Sequence, residues 1–185
     1  MSNLGVKDIV ALRGVLEGRQ VRLRPFGAPD ITPVYLGWLQ DPEIVRFSNQ
    51  RFRTHTADTC QAYLTSFNGG PNYFLSICDR DTEAMLGTMT VYRSVHHGTA
   101  DIGIMVGERR VWGQGIGADA FGTVMATLLD SGEIRKVTAG TLSVNTGMIR
   151  IMEKAGMQHE ATRRDQELAD GVPVDVVYYA RFRHA

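Results

Sequence analysis

The segment Trp112-Gly113-Gln114-Gly115-Ile116-Gly117 sets alternate glycines directly ahead of a run with helical periodicity. A chain that opens a helix leaves its first backbone N–H groups unpaired and places the positive end of the helix dipole at the same point. Residues without a Cβ let an anion approach that backbone, and they reach the positive-φ geometry of an anion nest. Phosphate binding is therefore one chemistry for the loop and a plain structural turn is the other; spacing alone does not choose between them. No Gly-Lys-Ser/Thr follows, which excludes a P-loop, and the preceding strand belongs to an antiparallel meander, which disfavours a dinucleotide fingerprint. Arg109 and Arg110, just before the loop, would add positive potential for a polyanion. The two cysteines, Cys60 and Cys78, show no paired spacing and no Cys/His cluster, so the reading is buried free thiols, with no disulfide framework and no metal.

Composition narrows the classes around this loop. With 185 residues, 43% apolar and 22% charged, the chain matches one soluble globular domain able to bury its own core. Lys plus Arg equal Asp plus Glu at 20 each, which removes the charge argument for nucleic acid or an anionic membrane as partner. The N-terminus lacks a basic segment leading into an apolar stretch, and no apolar run reaches membrane-spanning length, so the expectation is a cytoplasmic protein.

The elements that must position the loop follow from periodicity. Residues 1–18 are weakly patterned and read as an extension or short helix ahead of a single domain over 19–185. Alternation predicts a strand at 21–24, and Asp30 is a candidate N-cap for a short helix carrying Val34, Leu36, Trp38 and Leu39. A further short helix is predicted at 43–47, a polar loop at 48–55, and a helix at 57–67 with Cys60, Tyr63, Leu64 and Phe67 on one stripe. Three alternating runs, 73–78, 85–92 and 100–106, predict an antiparallel meander. Phe121, Val124, Met125, Leu128 and Leu129 form one apolar helix stripe within 118–130. A strand at 136–142, a helix at 146–155 and strands at 157–166 and 172–182, turning at Asp170-Gly171, complete the domain.

In this setting the chain resembles the GNAT superfamily of acyl-CoA N-acyltransferases, and its branch similar to the RimJ/RimL ribosomal-protein acetyltransferases. Ala100-Asp101-Ile102-Gly103-Ile104-Met105-Val106 looks like the family's fourth strand, and Trp112 to Ala118 like its pyrophosphate loop. Independently, Asn145-Thr146-Gly147-Met148-Ile149-Arg150-Ile151-Met152-Glu153-Lys154-Ala155-Gly156-Met157 resembles the branch's second motif. The resemblance covers about 21–182. It implies a GNAT fold of α+β type: a central mixed, largely antiparallel sheet of about seven strands flanked by helices and splayed between the fourth and fifth strands.

The resemblance also implies acetyl-CoA as acyl donor, held by Trp112, Gly113, Gln114, Gly115, Ile116, Gly117 and Ala118 at its pyrophosphate and by the backbone of Ile104, Met105 and Val106 along its arm. Asn145 matches a family residue that contacts the cofactor arm, and as the residue before a helix it is equally an N-cap. Arg150 either binds a cofactor phosphate or lies solvated on its helix. Amide formation requires a free amine, so a base is needed. Asp101 stands where the branch often carries Glu and is the candidate base, against the reading of a solvated strand carboxylate. Two positions depart from the family: Met152 replaces a common Tyr acid and Met148 a common Ser, and neither Met can donate a proton. Tyr178 is the replacement candidate acid, with Tyr179 beside it, against the reading of aromatic packing in a strand; water is the alternative proton donor. The loop after the first strand should choose the acceptor, with Arg46, Asn49, Arg51, Arg53 and His55 as candidate contacts. The expected activity is direct transfer of an acetyl group to a primary amine of a small molecule such as a nucleotide-linked amino sugar, the type of GNAT acceptor that Met at the Ser position also accompanies. The alternatives are a protein N-terminal amine or a non-catalytic acyl-CoA-binding module. The expected assembly is a monomer or homodimer.

Overall fold

The computed structural model describes residues 9–183. One sheet runs in the order β1 (Leu16–Glu17), β2 (Val21–Pro25), β3 (Tyr73–Asp79), β4 (Met85–Ser94), β5 (Thr99–Val106), β6 (Lys136–Leu142), β8 (Val172–Phe182) and β7 (Gln158–Ala169). Neighbours are antiparallel except β5 and β6, which run parallel and pair only at Thr99, Ala100 and Asp101 against Lys136, Val137 and Thr138. Beyond Asp101 these two strands part, leaving one side of the β5 backbone from Ile102 to Val106 without a strand partner. The eighth strand, against the seven expected, is the two-residue β1, too short to leave a pattern in sequence.

Helices α3 (Ile116–Asp130) and α4 (Thr146–Lys154) cover one face of the sheet, and α1 (Pro33–Gln40) and α2 (Ala57–Thr65) cover part of the other. The α3 stripe read from sequence is buried as a unit: Phe121, Val124 and Leu128 at 0%, Met125 at 1%. Side chains of that size contribute roughly 1.5–3 kcal/mol each on burial, which is why the period is so visible. Strand parity divides the site accordingly. Ile102 and Ile104 face the α3 and α4 core, whereas Met105 packs with Trp38, Cys60 and Phe74 on the opposite face. Asp101 and Gly103 share the face of Met105. The β7–β8 turn places Asp170 and Gly171 at φ 51° and 80°, the consecutive positive values that a two-residue hairpin turn demands.

Two local expectations are corrected. Asp30 is not an N-cap; Thr32 caps α1 by accepting from the Tyr35 N–H, while Asp30 is drawn to Arg24, whose guanidinium holds both its oxygens at 2.7 Å. Residues 43–47 form turns, because the Asp41 carboxylate accepts from Glu43 N–H and no apolar stripe supports a helix there. The part of the expected extension that is described, 9–18, packs into the domain, with Ile9 and Leu12 only 3% and 1% exposed; residues 1–8 of that reading lie outside the described residues. Cys60 and Cys78 are buried free thiols.

Candidate active site

The glycine loop closes as a short 3-10 turn, Arg109–Val111, followed by Gly113 at φ 77° and Gly115 at φ 90°. Gly115 is the N-cap of α3 and offers no side chain to the helix's first donors. Among the described residues the N–H groups of Gly113, Gly115, Ile116, Gly117 and Ala118 have no hydrogen-bond acceptor, the first α-helical pairing being Asp119 N–H to Gly115 C=O. A cluster of free donors at a helix start is what a phosphate requires. The glycines serve different ends. Space around Gly113 is open, whereas a Cβ on Gly117 would lie 2.9 Å from Ile151 Cδ1, so Gly117 permits α3 and α4 to touch. The Trp112 indole donates to the Val106 carbonyl at 2.9 Å and ties the loop to the end of β5. That carbonyl is thereby used, which leaves the cofactor-facing role expected of this edge to the remaining backbone groups of Ile104, Met105 and Val106.

The expected positive potential of Arg109 and Arg110 is offset locally. Arg109 pairs with Asp41 and Glu43, and Arg110 with Glu108. A residue that sequence reasoning missed is Asp119, buried in the first turn of α3. It accepts from the backbone N–H groups of Arg19, Gln20 and Val21 at 3.2, 2.7 and 3.3 Å and clasps the β1–β2 turn against the loop. Nothing local signalled it: an acid in a helix's first turn is ordinary, and its partners lie about a hundred residues away.

At the mouth of the splay, Asp101 accepts from the Thr138 hydroxyl at 2.8 Å. Enclosure by its neighbours raises its carboxyl above the usual carboxylate range, and the Thr138 hydrogen bond offsets this only in part. It lines an open depression of about 330 Å³ with Tyr92, Ser94, Thr99, Lys136 and Thr138. Tyr92 stands directly opposite Asp101 on β4, and its hydroxyl meets that of Tyr63 at 2.6 Å. Burial pushes the Tyr63 phenol up, with nearby Arg53 acting the other way. Gly103 and Gly140 each lie two residues beyond the last β5–β6 pair, Asp101 and Thr138, and so share its face; a Cβ on Gly103 would lie 3.0 Å from Thr90 Oγ1. Tyr178 lies on this same face: a Cβ on Gly140 would meet its ring at 2.8 Å, and the Arg163 guanidinium sits 5.1 Å from its ring centroid.

The remaining candidates separate. Asn145 caps α4, accepting from Met148 N–H and donating to Thr141. Arg150 is exposed and without an ion-pair partner among the described residues. Met152 is fully buried in the core, and Met148 packs against it. Tyr179 faces the core side, with its hydroxyl 3.5 Å from Glu153. The structure does not gather the loop cations around Asp101. Arg46 pairs with Asp170 and Arg51 donates to the Ser48 and Leu168 carbonyls, so both reach the β7–β8 tip, where exposed Asn49 and half-buried Arg51 line a separate groove. His55 Nε2 faces the Gln50 carbonyl at 3.0 Å.

A family model describing an acetyltransferase (GNAT) domain matches residues 20–158. The chain belongs to the GNAT family. It is therefore an acetyl-CoA-dependent N-acetyltransferase by class, and the fold anticipated from its motifs is the one observed. Among curated proteins it is 28% identical over 148 residues to an uncharacterised N-acetyltransferase, p20, of Bacillus licheniformis, covering 76% of this chain and 80% of that one. The fold is shared with a GNAT acetyltransferase from Bacillus anthracis (TM-score 0.78, 16% identity, 91% of this chain and 98% of that one). It is shared equally with RimL, a ribosomal L7/L12 α-N-protein acetyltransferase in complex with coenzyme A (0.77, 18%, 91% and 97%). A spermidine N-acetyltransferase from Vibrio cholerae, in complex with CoA and spermine, matches as well (0.77, 14%, 89% and 96%). These neighbours act on unlike amines, so likeness of fold leaves the acceptor open. No helix among the described residues is long and apolar enough to cross a membrane, and they hold no cluster of three or more His, Cys, Asp or Glu fit for a metal ion.

Proposed function

We propose that this GNAT enzyme acetylates the primary amine of a small, hydroxylated molecule, of which a nucleotide-linked amino sugar is the leading type. The observation that carries the reading is the depression at Asp101: about 330 Å³, open to solvent, rimmed by the hydroxyls of Ser94, Thr99 and Thr138 and by Tyr92. It suits a compact acceptor whose amine reaches Asp101 and whose hydroxyls meet that rim. Through Tyr92 and Tyr63 the same face leads toward Arg53, which makes no ion pair among the described residues and supplies a cation for a phosphate at the acceptor's far end.

Acetyl-CoA supplies an activated thioester carbonyl. The free donors among Gly113, Gly115, Ile116, Gly117 and Ala118 suit its pyrophosphate, and the unpaired edge of β5 from Ile102 to Val106 suits its arm, which would bring the reacting end to the splay beside Asp101. Asp101, its affinity for a proton raised by enclosure, takes a proton from the acceptor's ammonium. The freed amine then forms a bond to the carbonyl carbon as the carbon–sulfur bond breaks. Tyr178, whose ring lies beside Gly140, would give its hydroxyl proton to the departing sulfur; the second proton, shed by the nitrogen as the amide forms, returns through solvent to the phenolate, and Asp101 releases its own to solvent. No covalent acyl-enzyme is needed, since no nucleophile other than the acceptor amine takes part.

The test is thiol release from acetyl-CoA across a panel of UDP- and TDP-linked amino sugars, free amino sugars, polyamines and short peptides with free N-termini. Turnover strongest on the sugar amines supports the reading; turnover confined to peptides moves the acceptor to a protein N-terminus. Tight acetyl-CoA binding with no turnover on any member would make the chain a binding module.

A further inference from the structure

The β1–β2 turn, Gly18 to Val21, is held against the glycine loop more firmly than its length explains. Three of its N–H groups converge on the Asp119 carboxylate, the Gly18 N–H donates to the Val21 carbonyl at 2.8 Å, and a Cβ on Gly18 would lie 2.7 Å from Asp119 Oδ2. From behind, Arg80 donates to the Gly18 and Arg19 carbonyls. This leaves two side chains facing α3's first turn. Gln20 places its Nε2 3.4 Å from where a Cβ of Gly115 would stand. Arg19 sets its Nε 3.6 Å from Asp119 Oδ1 while its side chain remains 89% exposed.

We infer that Arg19, with Gln20 beside it, forms a second wall of the cofactor's phosphate site and binds a phosphate of coenzyme A from the β1–β2 turn. The inference rests on the reading of the glycine loop as the pyrophosphate site. Two charge arguments carry it. Arg109 and Arg110, the cations adjacent in sequence, are committed to Asp41, Glu43 and Glu108, whereas the Asp119 oxygens beside Arg19 are already occupied by backbone donors. Asp119 also puts a negative charge within the first turn of the helix whose N–H groups would hold an anion. A guanidinium alongside cancels that charge toward solvent and presents its remaining donors to phosphate oxygens. Gln20 adds an uncharged donor on the same side. Arg19 thus acts by contact with the ligand and by masking Asp119, and it takes no part in the chemistry at Asp101.

Calorimetric titration of wild type, Arg19→Gln and Gln20→Ala with coenzyme A and with dephospho-coenzyme A tests this. Arg19→Gln should raise the Kd for coenzyme A roughly five- to tenfold, about 1 to 1.4 kcal/mol, with the difference shrinking as salt rises and the melting temperature unchanged. A loss seen with coenzyme A alone assigns Arg19 to the 3′-phosphate; an equal loss with both ligands assigns it to the pyrophosphate. Wild-type affinity in Arg19→Gln at low salt overturns the inference while leaving the loop's role standing. Wild type that binds neither ligand overturns both.

Discussion

The two sides of the proposed active site are built from different materials. The donor side, from Trp112 along α3 to α4, is made of backbone N–H groups, glycines and fully buried contacts, with Asp119 fastening a neighbouring turn to it. The acceptor side is made of side chains: a carboxylate at Asp101, paired tyrosine hydroxyls, and a loop moored to the β7–β8 tip by Arg46 and Arg51. A backbone site can serve any acyl-CoA enzyme of the family because every sequence carries the same peptide group. A side-chain site can be rebuilt without disturbing the core. The contrast teaches that the donor half should be intolerant of substitution and the acceptor half tolerant for stability while sensitive for turnover.

Three substitutions would break or sharpen that contrast. The largest effect is expected from Asp119→Ala, which strands the three N–H groups it serves and frees the β1–β2 turn. We expect a loss of about 3 kcal/mol, a fall in melting temperature of roughly 6–12 °C, visible by calorimetry. Stability unchanged within a degree would mean that the turn does not depend on this clasp. Next, Asp101→Asn keeps an acceptor for the Thr138 hydroxyl but cannot take a proton. Turnover should fall roughly a hundredfold or more with acetyl-CoA affinity preserved. In wild type, the rate should rise with pH as Asp101 deprotonates, with a midpoint above the ordinary carboxylate value near about 4 because the neighbours that crowd it displace water from its charged form. That limb should vanish in the variant, and its survival would point to another base. The smallest effect belongs to Arg46→Ala: its pair with Asp170 joins two exposed side chains, so stability should change by less than about 1 kcal/mol in urea titration. A larger change would place the hairpin tip among the structural elements and erase the distinction between the two sides.

The same contrast governs what could be read before the fold was seen. The glycine run, the α3 stripe and the strand parity of Asp101 against Ile102 and Ile104 were legible, since each is a relation among residues close in the chain. The crowd of loop residues, Arg46, Asn49, Arg51, Arg53 and His55, was legible only as polarity. Arg46 and Arg51 find partners on a hairpin more than a hundred residues away, and nothing local predicts that. The reading of 43–47 as helix erred for a related reason: short polar segments lack an apolar stripe, and the Asp41 side chain competes for the backbone donors there.

By itself the sequence determined most of the order of elements, a helix start in the glycine run and the family, because helical and strand periods and glycine conformations are imposed by neighbours along the chain. Tertiary structure alone decided that Asp119 clasps Arg19, Gln20 and Val21 from about a hundred residues away, that Arg109 and Arg110 are neutralised, and that Thr138 and Tyr92 flank Asp101. Those outcomes depend on which charges and hydroxyls the sheet and helices bring within hydrogen-bond reach, and folding sets those distances without regard to separation in sequence.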